Sequence, residues 1–450
     1  MSFITDQQTM DDLNLFGKNG AGSIYQIFNK TRTRGGAAAL DEMFRYPLSD
    51  HGQINDRSET IQFFARSAKA FPFAADQFDA VESYLQNTDQ RTRLSAQDGS
   101  ISKRLSNLVA MDIDTSLIYQ GIIALIKLLK DLHIFMSGLE LEPQHFYQSK
   151  KNEVLDIMSA SVFAEALKTR SDAKLSPSAY AEFDELFRFQ YRESVLKLLT
   201  YIYSLDVYFT VAKVAAENGY IFPKALPKEH HVLKLDGVYH PQVKDAVANT
   251  IEISADSNVI FLTGANMAGK STLMKSLSIA LFLAHMGFPV TAKEMEFSVL
   301  DGMYTTINLP DNLGMGASHF YVEVLRVKKI ALSLRQGRNL FVLFDEMFRG
   351  TNVKDACEAT IAFTQAFAAK RNSLFMISTH IIEAGEVLMK KCANIKFVYL
   401  PTLMHGNKPA YTYTLKQGLT ADRHGMLIIE NEGVLDILKS GIERMSKRGI

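Results

Sequence analysis

The sequence predicts a multidomain α+β protein in which an all-α domain precedes an α/β domain. From about residue 58 to 218, apolar residues recur at helical spacing with charged residues between them. From about residue 231, short β-branched and aromatic runs alternate with helical stretches, which is typical of an α/β layer. The length of 450 residues is enough for about two to four domains.

Two long stretches of the first half show the helical period most clearly. They run from Leu117 to Leu132 and from Val195 to Phe209. Plain helix packing accounts for such stripes without any binding role. Near the N-terminus, an Ala-rich helix is expected to continue to about Tyr46, where Pro47 ends it.

The second half contains the strands that carry the functional motifs. Each is a short apolar run, as expected for a sheet buried on both faces. The clearest are Val259–Thr263, Phe341–Phe344, Leu374–Ser378 and Ile395–Leu400.

Composition and charge restrict the kinds of protein to be considered. The 49 basic and 49 acidic residues give zero formal net charge, so a role on DNA would need a local basic patch. The apolar run Ser116–Ile126 ends at Lys127, well short of the roughly 20 residues of a membrane span. Cys357 and Cys392 lack metal-site spacing, and the polar N-terminus does not resemble a secretory signal. We therefore expect a cytoplasmic protein without membrane contact.

A glycine-rich loop follows the strand at Val259–Thr263 and opens a helix. Gly264, Gly269, Lys270 and Ser271 fit the pattern G-x-x-x-x-G-K-[ST]. In this pattern backbone N–H groups surround the phosphates, the lysine contacts the outer phosphates and the hydroxyl binds Mg²⁺. We expect ATP and Mg²⁺ here, bound by Gly264, Ala265, Asn266, Met267, Ala268, Gly269, Lys270, Ser271 and Thr272.

Two further strands end in residues suited to phosphate chemistry. The strand at Phe341–Phe344 ends in Asp345 and Glu346, which we interpret as a Mg²⁺ ligand and the base for the attacking water. His380 follows the strand Leu374–Ser378, where it could sense the γ-phosphate. Acidic turn residues and a structural histidine are the alternative readings. We take Glu346, His380 and Lys270 as the candidate catalytic residues.

The motifs in combination resemble the MutS family. The resemblance covers nearly the whole chain, and the motifs occur in the family's order. They are the start of the helical core (LNLF, GSIYQIFNKTRTRGGAAAL and YPL), the His-Pro element GVYHPQV, the phosphate loop TGANMAGKST, the signature segment GMGASHFYVEV and the Walker B stretch DEMFRGTNVKDA.

The resemblance implies a P-loop ATPase domain of the ABC type that works in a homodimer. Ser318 of the signature segment would face the γ-phosphate bound by the other subunit. ATP binding and hydrolysis would then open and close helical levers, with double-stranded DNA as the partner that the family suggests. The implied domains are residues 1–57 (start of the helical core), 58–230 (helical core and lever), 231–433 (ATPase) and 434–450 (C-terminal helix).

Several positions differ from the family's pattern. Ala265 and Ala268 replace a proline and a glycine of the loop, and Ala246 stands where an aromatic residue often stacks on adenine. Asn249 and His405 are the remaining candidates on the adenine side. Because the chain starts at the helical core, we expect it to lack the domain with which MutS proteins read mismatches.

Three functional classes compete at this point. The first is a homodimeric ATPase acting on DNA, and the second is a nucleotide-gated scaffold with little hydrolysis and no mismatch recognition. The third, the ATPase subunit of a transporter, does not explain the long helical domain. Local basic residues support DNA binding only weakly, since solvated helix faces look the same; they are Arg91, Arg93, Lys103, Arg104, Lys150 and Lys151.

Overall fold

The computed structural model describes residues 3–17, 22–67, 69–94, 110–142, 145–169, 175–307, 319–405 and 408–420, together with residues 433, 437 and 438. The chain divides into two compact units. The helical unit comprises Phe28–Met43 and Glu59–Ala216, and the α/β unit comprises Met1–Ile27, Phe44–Ser58 and Glu217–Ile450.

Helices account for nearly all of the described part of the helical unit, and several more belong to the α/β unit. Numbered along the chain, they are α1 (Gln7–Asp12), α2 (Ile24–Phe28), α3 (Arg34–Arg45), α4 (His51–Arg66), α5 (Asp76–Gln86), α6 (Ala110–Ser137), α7 (Tyr147–Met158), α8 (Ser161–Lys168), α9 (Pro177–Asp184), α10 (Arg192–Asn218), α11 (Lys270–His285), α12 (His319–Arg335), α13 (Val353–Ala368) and α14 (Ile382–Lys391).

The strands all belong to the α/β unit. They are β1 (Lys224–Leu226), β2 (Leu233–Val238), β3 (Asn249–Ile253), β4 (Val259–Gly264), β5 (Glu294–Ser298), β6 (Gly302–Thr306), β7 (Leu340–Asp345), β8 (Leu374–Ser378), β9 (Ile395–Leu400), β10 (Thr402–His405), β11 (Lys408–Tyr411) and β12 (Lys416–Gln417). The coarse prediction, helices first and a mixed α/β part after them, is confirmed.

The predicted helical stretches lie in α6 and α10, whose apolar faces form much of the helical unit's core. Ile122, Leu129, Leu198 and Ile202 are at most 1% exposed. Among the described residues, α10 has the length and composition of a membrane span, but 56% of its most apolar window is buried inside the protein. Such burial is typical of the core helix of a globular domain.

The largest sheet has the strand order β12-β9-β4-β8-β7-β6. All neighbours in it are parallel except β12 and β9, so the carboxyl ends of β4, β8 and β7 lie at one edge. The strand β8 lies between the other two, and Asp345 is in register with Ser378. In parallel sheets ligands bind at this edge, so the fold places the loop after β4 and the carboxylates after β7 in one region.

The N-terminal segment pairs with the outer strand of this sheet. Ile4 bridges Gly302 in parallel, with its N–H 2.9 Å from the Asp301 carbonyl oxygen. Asp6 forms ion pairs with Arg326 and with Lys329, the latter at 2.6 Å. The hydrogen bonds and ion pairs of this segment connect it to the α/β unit, which includes Met1–Ile27 and Phe44–Ser58; one boundary between the two units falls after Ser58.

The remaining strands form a four-stranded sheet in the order β1-β5-β2-β3 and the hairpin β10-β11. In the four-stranded sheet, β2 and β3 alternate buried and exposed residues, the pattern of a sheet with one covered face. The predicted C-terminal helix from Val434 to about Met445 lies outside the described residues, apart from residues 437 and 438.

Candidate functional site

A cleft of about 670 Å³ opens at the carboxyl edge of the large sheet. Ten of the predicted site residues line it: Asn249, Ala265, Asn266, Met267, Gly269, Lys270, Ser271, Thr272, Asp345 and Glu346. Two others, Gly264 and the buried Ala268, belong to the same loop. The fold thus brings most of the predicted set together from three separate stretches of chain.

Two predicted residues have no described side chain. Ser318 lies outside the described residues, so its expected role stays a prediction. The backbone of His405 ends β10, in the hairpin with β11, and its side chain is likewise not described.

The loop between β4 and α11 owes its shape to residues with unusual backbone angles. Gly264 and Gly269 have φ of 154° and 95°, which L-residues with a Cβ rarely adopt. Met267 also has a positive φ, 70°, and its side chain is 77% exposed at the mouth of the cleft. A non-glycine residue held in this region is strained, and such strain concentrates at binding sites.

Lys270 begins α11, and its ammonium group points back into the loop. Its Nζ donates to the carbonyl oxygens of Gly264 at 2.7 Å and Ala265 at 3.1 Å. Burial lowers the pKa of this lysine, while the nearby carboxylates of Glu346 and Asp345 oppose that effect. A buried ammonium group beside an open cleft favours the binding of an anion there, because a buried charge is costly unless it is paired.

Ser271 and Asp345 form the part of the cleft that suits a hard cation. The Ser271 hydroxyl donates to Oδ2 of Asp345 at 2.7 Å. Oδ1 of Asp345 is buried and has no hydrogen-bond partner among the described residues. A carboxylate oxygen with free capacity beside a hydroxyl fits Mg²⁺, which prefers oxygen ligands and completes its shell with water and phosphate.

Glu346 follows Asp345 in a strained turn and is surrounded by positive charge. Its φ is 54°, and its N–H donates to the Ser378 carbonyl oxygen at 2.8 Å. Its Oε2 lies 2.8 Å from Nε of Arg349 and 3.7 Å from Nδ1 of His380. His380 and then Arg349 lower the pKa of Glu346, although burial opposes them, and the same contact with Glu346 raises the pKa of His380.

Asn249, expected on the adenine side, lines the cleft and is bonded to the main chain. Its Nδ2 donates to the carbonyl oxygens of Tyr413 at 2.9 Å and Val247 at 3.2 Å, and its Oδ1 accepts from the N–H of Leu415 at 2.7 Å. These bonds occupy the amide group with main-chain partners. Asn249 therefore fixes the path of the chain at Tyr413.

The cleft also contains polar and aromatic side chains that were not among the predicted site residues, notably Tyr413, His240 and Arg349. Tyr413 lies so close to the loop that a Cβ added to Gly269 would be 2.9 Å from its ring. His240 belongs to the recognised His-Pro element, and Arg349 comes three residues after Glu346, so both had a local signal. Tyr413 had none, because its place depends on a contact with Asn249.

The basic residues considered for DNA contact are held by other groups where they are described. Arg91 pairs with Asp89 at 2.6 Å, and Arg93 pairs with Glu185. Lys150 pairs with Glu153 at 3.2 Å, and Lys151 donates to the Leu139 carbonyl oxygen at 2.6 Å. Lys103 and Arg104 lie outside the described residues. These two stretches do not form a free cationic patch in the part of the chain that the structure describes.

Comparison with known proteins gives a consistent picture. The sequence profile of MutS domain III matches residues 8–216, and that of MutS domain V matches residues 260–446. The chain is 26% identical over 331 residues to the DNA mismatch repair protein MutS of Streptococcus agalactiae. That alignment covers 70% of this chain but only 37% of the length of the relative.

Proposed function

The chain belongs to the MutS family, and from this premise we propose that it binds ATP with Mg²⁺ in the cleft and hydrolyses it. The observation that carries the proposal is the meeting of Lys270, Ser271, Asp345 and Glu346 in one cleft. Together they supply what phosphoryl transfer requires: Lys270 provides positive charge for the phosphates, Ser271 and Asp345 provide two oxygens for a metal ion, and Glu346 provides a base for the attacking water.

The contacts of these residues support a separate role for each. Lys270 binds the outer phosphates, exchanging its carbonyl partners Gly264 and Ala265 for phosphate oxygens. Glu346 orients the attacking water and takes its proton, and His380, next to it, contacts the γ-phosphate. Ser271 and Asp345 hold Mg²⁺, which when bound neutralises charge on the phosphate oxygens.

Tyr413 is our candidate for contact with the base. The same cleft is lined by three apolar residues, Val243, Ala246 and Val247. Ala246 occupies the position at which MutS proteins often have an aromatic residue that stacks on adenine. An aromatic ring that Asn249 holds near the loop can compensate, because a base gains stacking energy from a single ring face.

We extend the proposal to a homodimer in which ATP joins two α/β units. The support is Ser318 of the signature segment, which the family resemblance assigns to the partner's nucleotide. Opening and closing of helical levers on double-stranded DNA, as in mismatch repair or another DNA transaction, is then the output of the cycle. The similarity to a DNA mismatch repair protein supports the DNA role, whereas the paired basic residues do not add to it.

Binding of a fluorescent ATP analogue tests the core of the proposal. Lys270→Ala should weaken binding at least about tenfold, since a charge-assisted contact to phosphate is lost. Lys275→Ala, on the same helix but not among the cleft residues, is the matched control and should bind normally. Equal affinity of the Lys270 variant and the parent protein would refute the phosphate role.

A mixing experiment tests the shared site. Ser318→Arg chains and Lys270→Ala chains should each be inactive alone. In a mixed dimer one site combines both defects and the other has neither, so up to about half of the per-site activity should return. Heterodimers that form but stay inactive would count against the shared site.

The alternative, a nucleotide-gated scaffold with little hydrolysis, gains some support from the surroundings of Glu346. His380 and Arg349 lower the pKa of this carboxyl group and so make it a weaker base. Steady-state turnover separates the two functions: tight ATP binding with turnover no faster than that of a Glu346→Gln variant would favour the scaffold.

A further inference from the structure

Arg349 has no role in the proposed hydrolysis of ATP, yet it lies beside Glu346, the candidate base. It lines the cleft, and its Nε is 2.8 Å from Oε2 of Glu346. It is also close enough to Lys270 and His380 for its positive charge to act toward a lower pKa of both, although the contact with Glu346 raises the pKa of His380 overall. One guanidinium group is therefore within electrostatic range of the phosphate-binding lysine and of the candidate base.

The backbone that carries Arg349 is fixed. Met347 and Phe348 are 6% and 1% exposed, and the Phe348 ring packs on Phe320 and Phe363 with centroids 5.8 and 5.3 Å away. Phe348 keeps a positive φ of 63° in this turn. A buried aromatic residue next to Arg349 anchors the chain, so a change of partner by Arg349 needs only side-chain rotation.

The side chain itself is free to make that change. It is 53% exposed, whereas its partner Glu346 is 17% exposed. An exposed ion pair contributes little net energy, so another anion can displace it. A terminal phosphate carries more charge than a carboxylate and matches the two-pronged guanidinium group, which makes it the stronger partner.

We propose that Arg349 binds the terminal phosphate of the nucleotide and leaves Glu346 when it does so. This inference rests on the proposed ATP site. Arg349 would then distinguish ATP from ADP, because only ATP presents the phosphate that the guanidinium group reaches. The same exchange frees one oxygen of Glu346 to accept a hydrogen bond from the attacking water, so that the base is released when the γ-phosphate is present.

The test compares two affinities in one protein. A non-hydrolysable ATP analogue and ADP are titrated with Mg²⁺ into the parent protein and into Arg349→Gln. We expect the variant to bind the ATP analogue at least about tenfold more weakly and ADP within about twofold of the parent. Arg349→Lys keeps the charge but loses the two-pronged guanidinium group, so its affinity for the ATP analogue should lie between those of the parent protein and Arg349→Gln.

Lys244→Gln is the matched control, since Lys244 is a cation of the same cleft for which no contact with Glu346 is seen. It should change both affinities by the same factor. An Arg349→Gln protein with unchanged preference for the ATP analogue over ADP would overturn the inference, as would one in which both affinities fall equally. A parent protein that binds neither nucleotide would instead refute the proposed function, and melting temperatures show that each variant is folded.

Discussion

The hydroxyl of Ser271 donates a 2.7 Å hydrogen bond to Oδ2 of Asp345, and this bond joins the first turn of α11 to the end of β7. The two residues are 74 positions apart in the sequence, and β4, the strand before α11, is separated from β7 in the sheet by β8. The second oxygen of Asp345 stays without a partner among the described residues. The pair therefore offers two oxygen ligands to one cation.

Removing the hydroxyl group of Ser271 should abolish the contribution of Mg²⁺ to nucleotide binding. We expect Mg²⁺ to strengthen ATP binding to the parent protein at least about tenfold and to have little effect on Ser271→Ala, because one of two protein ligands is lost. Titrations with Mg²⁺ and with EDTA measure this. Ser271→Thr keeps the hydroxyl and should keep the response; a full Mg²⁺ response in the alanine variant would contradict the assignment.

Glu346→Gln should separate binding from hydrolysis. The amide keeps the shape of the side chain but cannot take a proton, so we expect normal ATP affinity and hydrolysis slower by at least about a hundredfold. Phosphate release in steady state is the measurement. Glu386→Gln, an exposed position on α14, is the control and should have normal turnover. Near-normal turnover of the Glu346 variant would place the base elsewhere.

Tyr413→Ala should weaken ATP and ADP binding alike, by about three- to tenfold, because both nucleotides carry the same base and lose the same ring contact. Tyr413→Phe keeps the ring and should bind normally. Asn249→Ala should act in the same direction, since it releases the backbone at Tyr413. Unchanged affinity in Tyr413→Ala would show that the base binds elsewhere in the cleft.

Asp6 should make the stability of the protein depend on acid pH. Burial acts to raise its pKa, but hydrogen bonds from Arg326 and Lys329 outweigh that effect and lower the pKa from 3.8 to about 2. A carboxyl group whose pKa is lowered by folding stabilises the folded protein fully when the pH is above the group's pKa in the unfolded chain. This contribution is lost as the pH falls from about 4 to about 2.

Asp6→Asn should therefore reduce the free energy of unfolding by about 2 kcal/mol at pH 7 and by roughly half as much at pH 3. Asparagine still caps a helix, so the change isolates the charge. Urea denaturation at both pH values gives the comparison. Asp11→Asn, at an exposed position of α1, should differ from the parent by less than about 0.5 kcal/mol. A difference for Asp6→Asn that does not vary with pH would contradict the ion-pair explanation.

The features that the sequence could predict are those with a local pattern. The apolar run before Asp345 predicted β7, and the spacing of Gly264, Gly269 and Lys270 predicted the loop, because each depends on adjacent residues. Pairing of distant segments leaves no such pattern. Asp6 contacts Arg326 across 320 positions, and Asn249 contacts Tyr413 across 164.

Pairing between distant segments also explains why the sequence did not predict the small four-stranded sheet. Its strand β1 is three residues long and pairs with β5, more than 60 positions later. A run as short as Lys224–Leu226 carries too few residues for its period to be recognised. Its place is decided by the partner strand, so only the folded structure reveals it.

The N-terminal segment has a consequence for synthesis of the protein. Ile4 and Asp12 are bonded to residues near 302–307, so their partners leave the ribosome about 300 residues later. At roughly 5–20 residues per second, that interval is about 15 to 60 s. Until then the segment lacks these partners, whereas Phe28–Met43 and Glu59–Ala216 are complete as soon as residue 216 has been made. A nascent chain stalled before residue 302 should therefore expose its first 17 residues to protease, and extension past residue 345 should protect them.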